Sequence, residues 1–119
     1  MVLKLAKKYK LKVAWGTDMF GTLEKQALQP LEFKARTKYF SNVEILRQAT
    51  SGNAELFKLS GKRHPYQDGE LGVIQEGAYA DLLLIDGNPL EDIEIMVNSE
   101  KYFDLIMKDG EIYKNTVAG

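Results

Sequence analysis

Apolar and polar positions in the first part of the chain repeat with two different periods. Over residues 2–9, apolar side chains recur at helical spacing with lysines between them, which predicts the end of an amphipathic helix. Residues 11–15 then alternate between apolar side chains and lysine or alanine, and this period of two predicts a short strand that Gly16 ends. A helix followed directly by a strand is half of a βα unit.

The helical period returns only after a stretch without a clear pattern. Residues 19–29 show no period and contain Gly21, so we expect a loop there. Pro30 suits the first turn of a helix, and an apolar stripe continues that helix to about Lys38.

A capping box begins the next helix. Ser41 and Glu44 stand three residues apart, so each side chain can bond the other's backbone amide at a helix N-terminus. The apolar period continues to Thr50, and we expect residues 51–53 to interrupt it. A short second helix is predicted over residues 55–59.

The second half of the chain has the pattern of strands and tight turns. A polar loop over residues 62–70 comes first. Four aliphatic residues, 82–85, lie between two acids and predict a buried strand. A turn over residues 86–89, a helical turn within residues 90–97, and a hairpin whose strands are residues 102–107 and 111–114 complete the prediction.

Composition narrows the class of protein. The chain has 119 residues, of which 45% are hydrophobic and 28% charged, as in globular proteins. It contains no cysteine, which excludes disulfides, thiolate metal sites and cysteine nucleophiles and favours the cytoplasm. No apolar run approaches the roughly 20 residues of a membrane helix, so we expect no membrane partner.

Charge is unevenly distributed along the chain. Residues 1–63 hold 13 Lys or Arg against 5 Asp or Glu, whereas residues 64–119 hold 3 against 12. This reversal predicts two modules that meet near residues 60–70. Aromatic residues do not interleave the lysines on one stripe, so we expect no nucleic-acid partner.

Two residues are candidates for chemistry. Asp18 follows the end of the predicted strand, which is where α/β barrels place catalytic groups. Short acids also cap turns and helices, and these residues alone leave that alternative open. His64 is the only histidine and could titrate near neutrality, but its place in a polar loop favours a surface residue.

Three segments follow one another along the chain: Gly16-Thr17-Asp18, the helix with residues 44–50 and Asn53-Ala54, and residues 71–86. In this order they resemble the C-terminal part of a metal-dependent amidohydrolase, of the imidazolonepropionase and Xaa-Pro dipeptidase-like branch. The last segment has the pattern GxIxxG-xxADLxxxD and is followed by Gly-Asn-Pro-Leu-Glu-Asp, which makes it the most specific of the three.

The resemblance implies an α/β fold and a division of the chain. Residues 1–60 would be the end of a (β/α)8 barrel, with strand eight and its flanking helices. Residues 61–119 would be the C-terminal part of a small β-sandwich that such enzymes build from both chain ends. Asp18 would bind zinc or another divalent metal and would take a proton from the metal-bound water that attacks an amide carbon.

The expected function follows from what this resemblance includes and leaves out. The family hydrolyses carbon–nitrogen bonds, here in a small cyclic amide or a dipeptide. The chain has no His-x-His pair, so we expect it to bind no metal and to be inactive alone, with the rest of the barrel as its partner. The alternative is a non-catalytic, truncated module that self-associates through exposed strand edges.

Overall fold

Short helices and a small antiparallel sheet share one hydrophobic core in the computed structural model, which describes residues 2–117. The helices are α1 (Val2–Lys8), α2 (Leu23–Gln26), α3 (Leu31–Arg36), α4 (Asn42–Arg47), α5 (Asn53–Lys58) and α6 (Ser99–Tyr102). The strands are β1 (Leu82–Ile85), β2 (Phe103–Lys108) and β3 (Glu111–Asn115). Two 3₁₀ turns, Gly61–Arg63 and Ile93–Val97, complete the elements with one π-helical turn, Gln48–Gly52.

The first helix is confirmed as α1, but the strand predicted over residues 11–15 is wrong. The structure assigns no strand there. Burial still alternates, since Val13 and Trp15 are half-buried while Lys12 and Ala14 are exposed. A strand is defined by hydrogen bonds to a neighbouring strand, and within residues 2–117 none lies beside this segment. The pattern therefore predicts the burial but not the pairing.

The loop predicted over residues 19–29 contains the helix α2, so that prediction is wrong in part. Thr22 is its N-cap in extended conformation, without a side-chain capping bond. A helix of four residues is too short to show a 3.6-residue period, which is why the pattern missed it. The helix after Pro30 is confirmed as α3, although it ends at Arg36 and not at Lys38.

The capping box is confirmed. The Ser41 backbone amide donates to Glu44 Oε2 at 2.8 Å, and the Glu44 amide donates to Ser41 Oγ at 3.4 Å. The interruption predicted at residues 51–53 is wrong, because the π-helical turn Gln48–Gly52 joins α4 to α5 without a break. A π turn inserts an extra residue into a helix, and such turns are frequent at functional sites.

The start of the second half of the chain packs against the π turn at Gly72. Gly72 has a φ of +69°, and a Cβ at this position would lie 2.5 Å from the Thr50 carbonyl carbon and 2.7 Å from the Ser51 nitrogen. Glycine adopts this conformation without strain and, having no Cβ, allows such a close approach. Gly72 therefore packs the chain directly against the backbone of the helix.

The sheet has the order β1-β2-β3, with both pairs antiparallel. The Asp109–Gly110 hairpin is confirmed, and both residues have positive φ values, +51° and +79°. The prediction that residues 82–85 form a buried strand is right about the strand and wrong about its burial. Leu83 and Leu84 are 47% and 51% exposed, since no second sheet covers β1 in the part of the chain described.

The core draws residues from both halves of the chain. Ile45 of α4 is completely buried, and its cluster contains Phe33, Phe40, Ile93, Met96 and Phe103. Burial of this apolar surface is the main stabilising contribution. The boundary between residues 60 and 61 stays a prediction.

None of the helices that the structure describes is long and apolar enough to cross a membrane.

Candidate functional site

Asp18 presents an exposed carboxylate. Among residues 2–117, no hydrogen bond or ion pair reaches this side chain. Its backbone has a φ of +52°, the left-handed region that few residues other than glycine adopt. Backbone strain of this kind clusters at functional sites. The alternative that Asp18 caps a turn or a helix is wrong for the residues described, since no bond reaches its carboxylate and Thr22 is the N-cap of α2.

The backbone before Asp18 is fixed by the side chain of Asn53, the first residue of α5. The Trp15 amide donates to Asn53 Oδ1 at 2.8 Å, and Asn53 Nδ2 donates to the Trp15 carbonyl at 2.9 Å. The Trp15 ring packs on Phe33, with ring centroids 4.6 Å apart. Backbone and side chain of Trp15 are therefore both held, three residues before the carboxylate.

The residues on either side of Asp18, Thr17 and Met19, form longer hydrogen bonds. Thr17 Oγ1 donates to Gln29 Oε1 at 3.4 Å, and the same hydroxyl accepts from the Met19 amide at 3.4 Å. These bonds connect the Asp18 turn to the segment that leads into α3. The arrangement supplies one exposed carboxylate that can bind a cation or accept a proton.

A complete metal site is not formed by the part of the chain described. No three His, Cys, Asp or Glu side chains within residues 2–117 come together where they could hold a metal ion. A catalytic zinc takes about three protein ligands. The residues present therefore do not fit a metal by themselves, and Asp18 offers only a single ligand.

The expectation that His64 is a surface residue is wrong. Its relative exposure is only 8%, and its ring lies between those of Phe57 and Tyr66, at centroid distances of 6.1 and 5.8 Å. The polar residues next to His64 in sequence gave no sign of this burial, because the side chains that bury it are aromatic rings brought there by the fold. Its Nδ1 atom is buried without a hydrogen-bond partner among the residues described. Neither a hydrogen bond nor a ring contact in this part of the structure links His64 to Asp18.

Asp81, the acid in the most specific sequence pattern, has a structural role. Its carboxylate accepts from the Asp109 amide at 2.8 Å and from Lys108 Nζ at 3.0 Å. Burial raises the pKa of Asp81, but these bonds outweigh it and hold that pKa below its ordinary value. The Gly110 amide also donates to the Ala80 carbonyl, so the pattern fixes the β2–β3 turn.

A groove of about 490 Å³ lies between α1, residues 10–13 and the α4–α5 helix. Its walls include Leu11, Val13 and Phe40. Ion pairs connect its two sides, from Lys7 to Glu44 and from Lys12 to Glu55. Asp18 does not line this groove, which is therefore separate from the candidate site.

Comparison with known proteins identifies the family. The model of the amidohydrolase family matches residues 1–119, so the chain belongs to the amidohydrolase family. A search of the curated proteins finds no match. The branch of the family is not settled by this match, and the imidazolonepropionase-like assignment stays a prediction.

Solved structures similar to the chain over nearly its whole length include an amidohydrolase, a prolidase and an ochratoxinase. A crystal structure of an amidohydrolase has 33% identity and a TM-score of 0.83, over 98% of this chain and 26% of that one. A prolidase complexed with N-methylphosphonate-L-proline has 34% identity and a TM-score of 0.78, over 96% and 26%. Ochratoxinase of A. niger has 25% identity and a TM-score of 0.76, over 98% and 25%. The chain thus spans about a quarter of each structure.

The sequence pattern indicated Asp18, whose role stays a prediction, but it did not reveal the hydrogen bonds of Asn53. Asparagine is a poor helix former because its side chain competes for backbone hydrogen bonds. An asparagine between Gly52 and Ala54, inside a helical pattern, was therefore a signal that this side chain bonds a backbone elsewhere. Which backbone it bonds depends on the fold, since Trp15 lies 38 residues away.

Proposed function

We propose that the chain is part of an amidohydrolase that cleaves carbon–nitrogen bonds, with Asp18 as its catalytic carboxylate and metal ligand. The observation that carries this proposal is the exposed Asp18 carboxylate, which no bond reaches within residues 2–117 and which lies three residues after Trp15, whose backbone Asn53 holds. Family membership supports the hydrolase class. A carboxylate beside activated water can accept a proton and pass it to a leaving nitrogen.

The proposed substrate is a small amide or a dipeptide. Support comes from the prolidase to which this chain is similar, because that protein was crystallised with an N-phosphonate derivative of proline. In barrel enzymes the residues that select a substrate come from several βα loops. The chain spans about a quarter of these structures, so we propose the substrate class and no individual compound.

The proposed cofactor is zinc or another divalent metal, for which Asp18 would supply one ligand. Such a metal lowers the pKa of bound water toward neutrality. The described residues do not complete a metal site, so we propose that the other ligands come from the rest of a barrel, the chain's proposed partner. We expect the chain by itself to bind no zinc and to hydrolyse no amide.

The setting of the proposed enzyme is the cytoplasm, with neither nucleic acid nor membrane as a partner. The absence of cysteine supports the compartment. The even balance of charge, with a net charge of −1, supports the absence of nucleic acid.

A chimera tests the proposed role of Asp18. The matched quarter of the prolidase would be replaced by this chain, and prolidase activity and bound metal would be measured. We expect an active chimera in which Asp18→Asn lowers kcat/KM by at least about a hundredfold. Asp68→Asn is the control, since Asp68 is also exposed and its carboxylate has no partner among the described residues. Equal activity of the Asp18→Asn and Asp68→Asn chimeras would show that Asp18 is not catalytic.

A second candidate function is a non-catalytic module that self-associates. It is favoured by the backbone of residues 12–14 and Gly16, whose N–H and C=O groups have no hydrogen bond within residues 2–117. Such an edge can add a strand from a second copy. Sedimentation of the purified chain tests this candidate, and a dimer that forms with rising concentration is the expected result.

A further inference from the structure

We propose that Asn53 is a positioning residue that takes the place of a neighbouring strand and thereby sets where Asp18 is presented. The inference gains its catalytic meaning from the proposed role of Asp18. It rests on two hydrogen bonds, from the Trp15 amide to Oδ1 and from Nδ2 to the Trp15 carbonyl, at 2.8 and 2.9 Å.

The two bonds reproduce the pairing of an antiparallel sheet. In an extended chain, the N–H and C=O of one residue point to the same edge, where the opposite residue of a second strand offers one acceptor and one donor. A carboxamide also offers one acceptor and one donor, separated by a single carbon. Asn53 thus satisfies both backbone groups of Trp15 from the helix, on an edge where the structure has no strand.

The helix is shaped to bring Asn53 to this position. The residue follows directly on the π turn Gln48–Gly52. A Cβ on Gly52 would lie 2.8 Å from the Arg47 carbonyl oxygen, so the turn needs a glycine at its end. The extra residue of a π turn rotates the side chains that follow it around the helix axis. The irregular helix and the Asn53 bonds therefore act together.

The consequence for the site follows from the short distance along the chain. Only Gly16 and Thr17 separate Trp15 from Asp18, and the Trp15 ring is also packed on Phe33. With its backbone held from the helix and its ring held by α3, Trp15 is a fixed point from which the strained turn at Asp18 begins. Release of the Asn53 bonds would free the turn while the fold remains.

Hydrogen exchange and NMR on the whole chain test the proposal. Leucine has nearly the shape of asparagine but cannot hydrogen-bond, so Asn53→Leu removes both bonds. We expect the Trp15 amide to exchange about fivefold faster or more, as the loss of one hydrogen bond predicts. The Ile45 amide, bonded to the Ser41 carbonyl at 3.0 Å, should keep its rate. If Asn53 served only helix stability, the Trp15 amide would keep its exchange rate and the Ile45 amide would exchange more slowly, since leucine is the better helix former.

The variant Asn53→Asp separates the two bonds by pH. Its carboxylate still accepts from the Trp15 amide but cannot donate to the Trp15 carbonyl. We expect the carbonyl carbon signal of Trp15 to shift at neutral pH and to return toward its wild-type position when acid protonates the carboxyl. Because this variant keeps one bond, it decides the question even if Asn53→Leu does not fold.

The matched control is Asn42→Asp. Asn42 also lies in this helical stretch and donates from Nδ2 to a carbonyl, that of Leu90 at 3.0 Å, but it does not contact Trp15. Its Trp15 signals should match those of the wild type at every pH. Unchanged Trp15 exchange in Asn53→Leu, or an unchanged carbonyl signal in Asn53→Asp, would overturn the proposal. These measurements use neither metal nor substrate, so their failure is distinct from a failure of the chimera.

Discussion

At the scale of single residues, each carboxylate in this chain has the role that its partners allow. The Asp18 carboxylate has no partner within residues 2–117 and its backbone has a left-handed φ, whereas Asp81 accepts three bonds and fixes a turn. Both acids belong to segments that resemble the same family of enzymes. Their hydrogen bonds, and not their place in a pattern, separate the candidate catalytic acid from the structural one.

Glu44 gives a pH-dependent prediction. Hydrogen bonds from Lys7 and from the Ser41 backbone and hydroxyl lower its pKa to about 2. A carboxyl with a lowered pKa stabilises the fold above its unfolded pKa, and this stabilisation is lost as pH falls toward 2. We therefore expect Glu44→Gln to lower the free energy of unfolding by at most about 1 kcal/mol at pH 6, because the group is exposed, and by almost nothing at pH 2.

Urea denaturation at several pH values measures this difference. Glu76→Gln is the matched control, since Glu76 is exposed and no bond reaches its side chain among the residues described. The control should have the same stability as the wild type at both pH values. A Glu44→Gln effect that stays constant from pH 6 to pH 2 would contradict the prediction.

The residue scale also shows what the sequence can predict. Ser41 and Glu44 lie three residues apart, so one turn of helix is enough to bring them together, and the capping box was predicted correctly. The bonds of Asn53 and Asp81 join residues 38 and 28 positions apart. Such pairs depend on the complete fold, and no local pattern contains them.

At the scale of elements, the predictions succeeded where an element satisfies its own hydrogen bonds. The Asp109–Gly110 hairpin and the start of α4 depend on neighbours in sequence, and both are confirmed. The strand over residues 11–15 failed because its pairing needs a second strand. The prediction of a helix interruption at residues 51–53 failed because Ser, Gly and Asn usually end a helix, whereas here they continue it through a π turn.

Gly72 gives a prediction at this scale, because it joins the second half of the chain to the π turn. We expect Gly72→Ala to lower the free energy of unfolding by about 2 kcal/mol or more, since alanine is strained at a φ of +69° and its Cβ would lie 2.5 Å from the Thr50 carbonyl carbon. Gly16→Ala is the control, because no atom lies within 4 Å of the Cβ position there. Thermal unfolding compares the two variants, and equal midpoints would contradict the role given to Gly72.

At the scale of the whole molecule, the two oppositely charged halves are packed together. Their shared core contains Ile45 and Phe103, and ion pairs join Lys34 to Glu94 and Lys58 to Glu70. The charge reversal predicts two modules, and that division stays a prediction. The ion pairs show that opposite charges of the two halves of the chain meet. Exposed pairs of this kind contribute little stability, so the shared apolar core is what holds the halves together.

The open backbone edge before Asp18 gives the prediction for the molecule as a whole. Asn53 bonds the backbone of Trp15 in this segment. In an extended chain, the residues on either side of such a position direct their N–H and C=O groups to the opposite edge. Ala14→Pro removes an N–H from that edge and blocks strand addition, whereas Ala14→Ser keeps it. We expect the wild type and Ala14→Ser to sediment as dimers at high concentration, and Ala14→Pro as a monomer.

The oligomeric states of the wild type and of the two Ala14 variants decide which edge or face mediates association. A wild type that stays monomeric at high concentration would refute the self-associating module. If Ala14→Pro still forms a dimer, another surface mediates the association. The exposed Leu83 and Leu84 of β1 would then be the next positions to change. A dimer lost only in the proline variant would mean that this segment pairs as the strand its sequence predicts once a second strand lies beside it. The alternating pattern of residues 11–15 would then describe a real strand in the assembly.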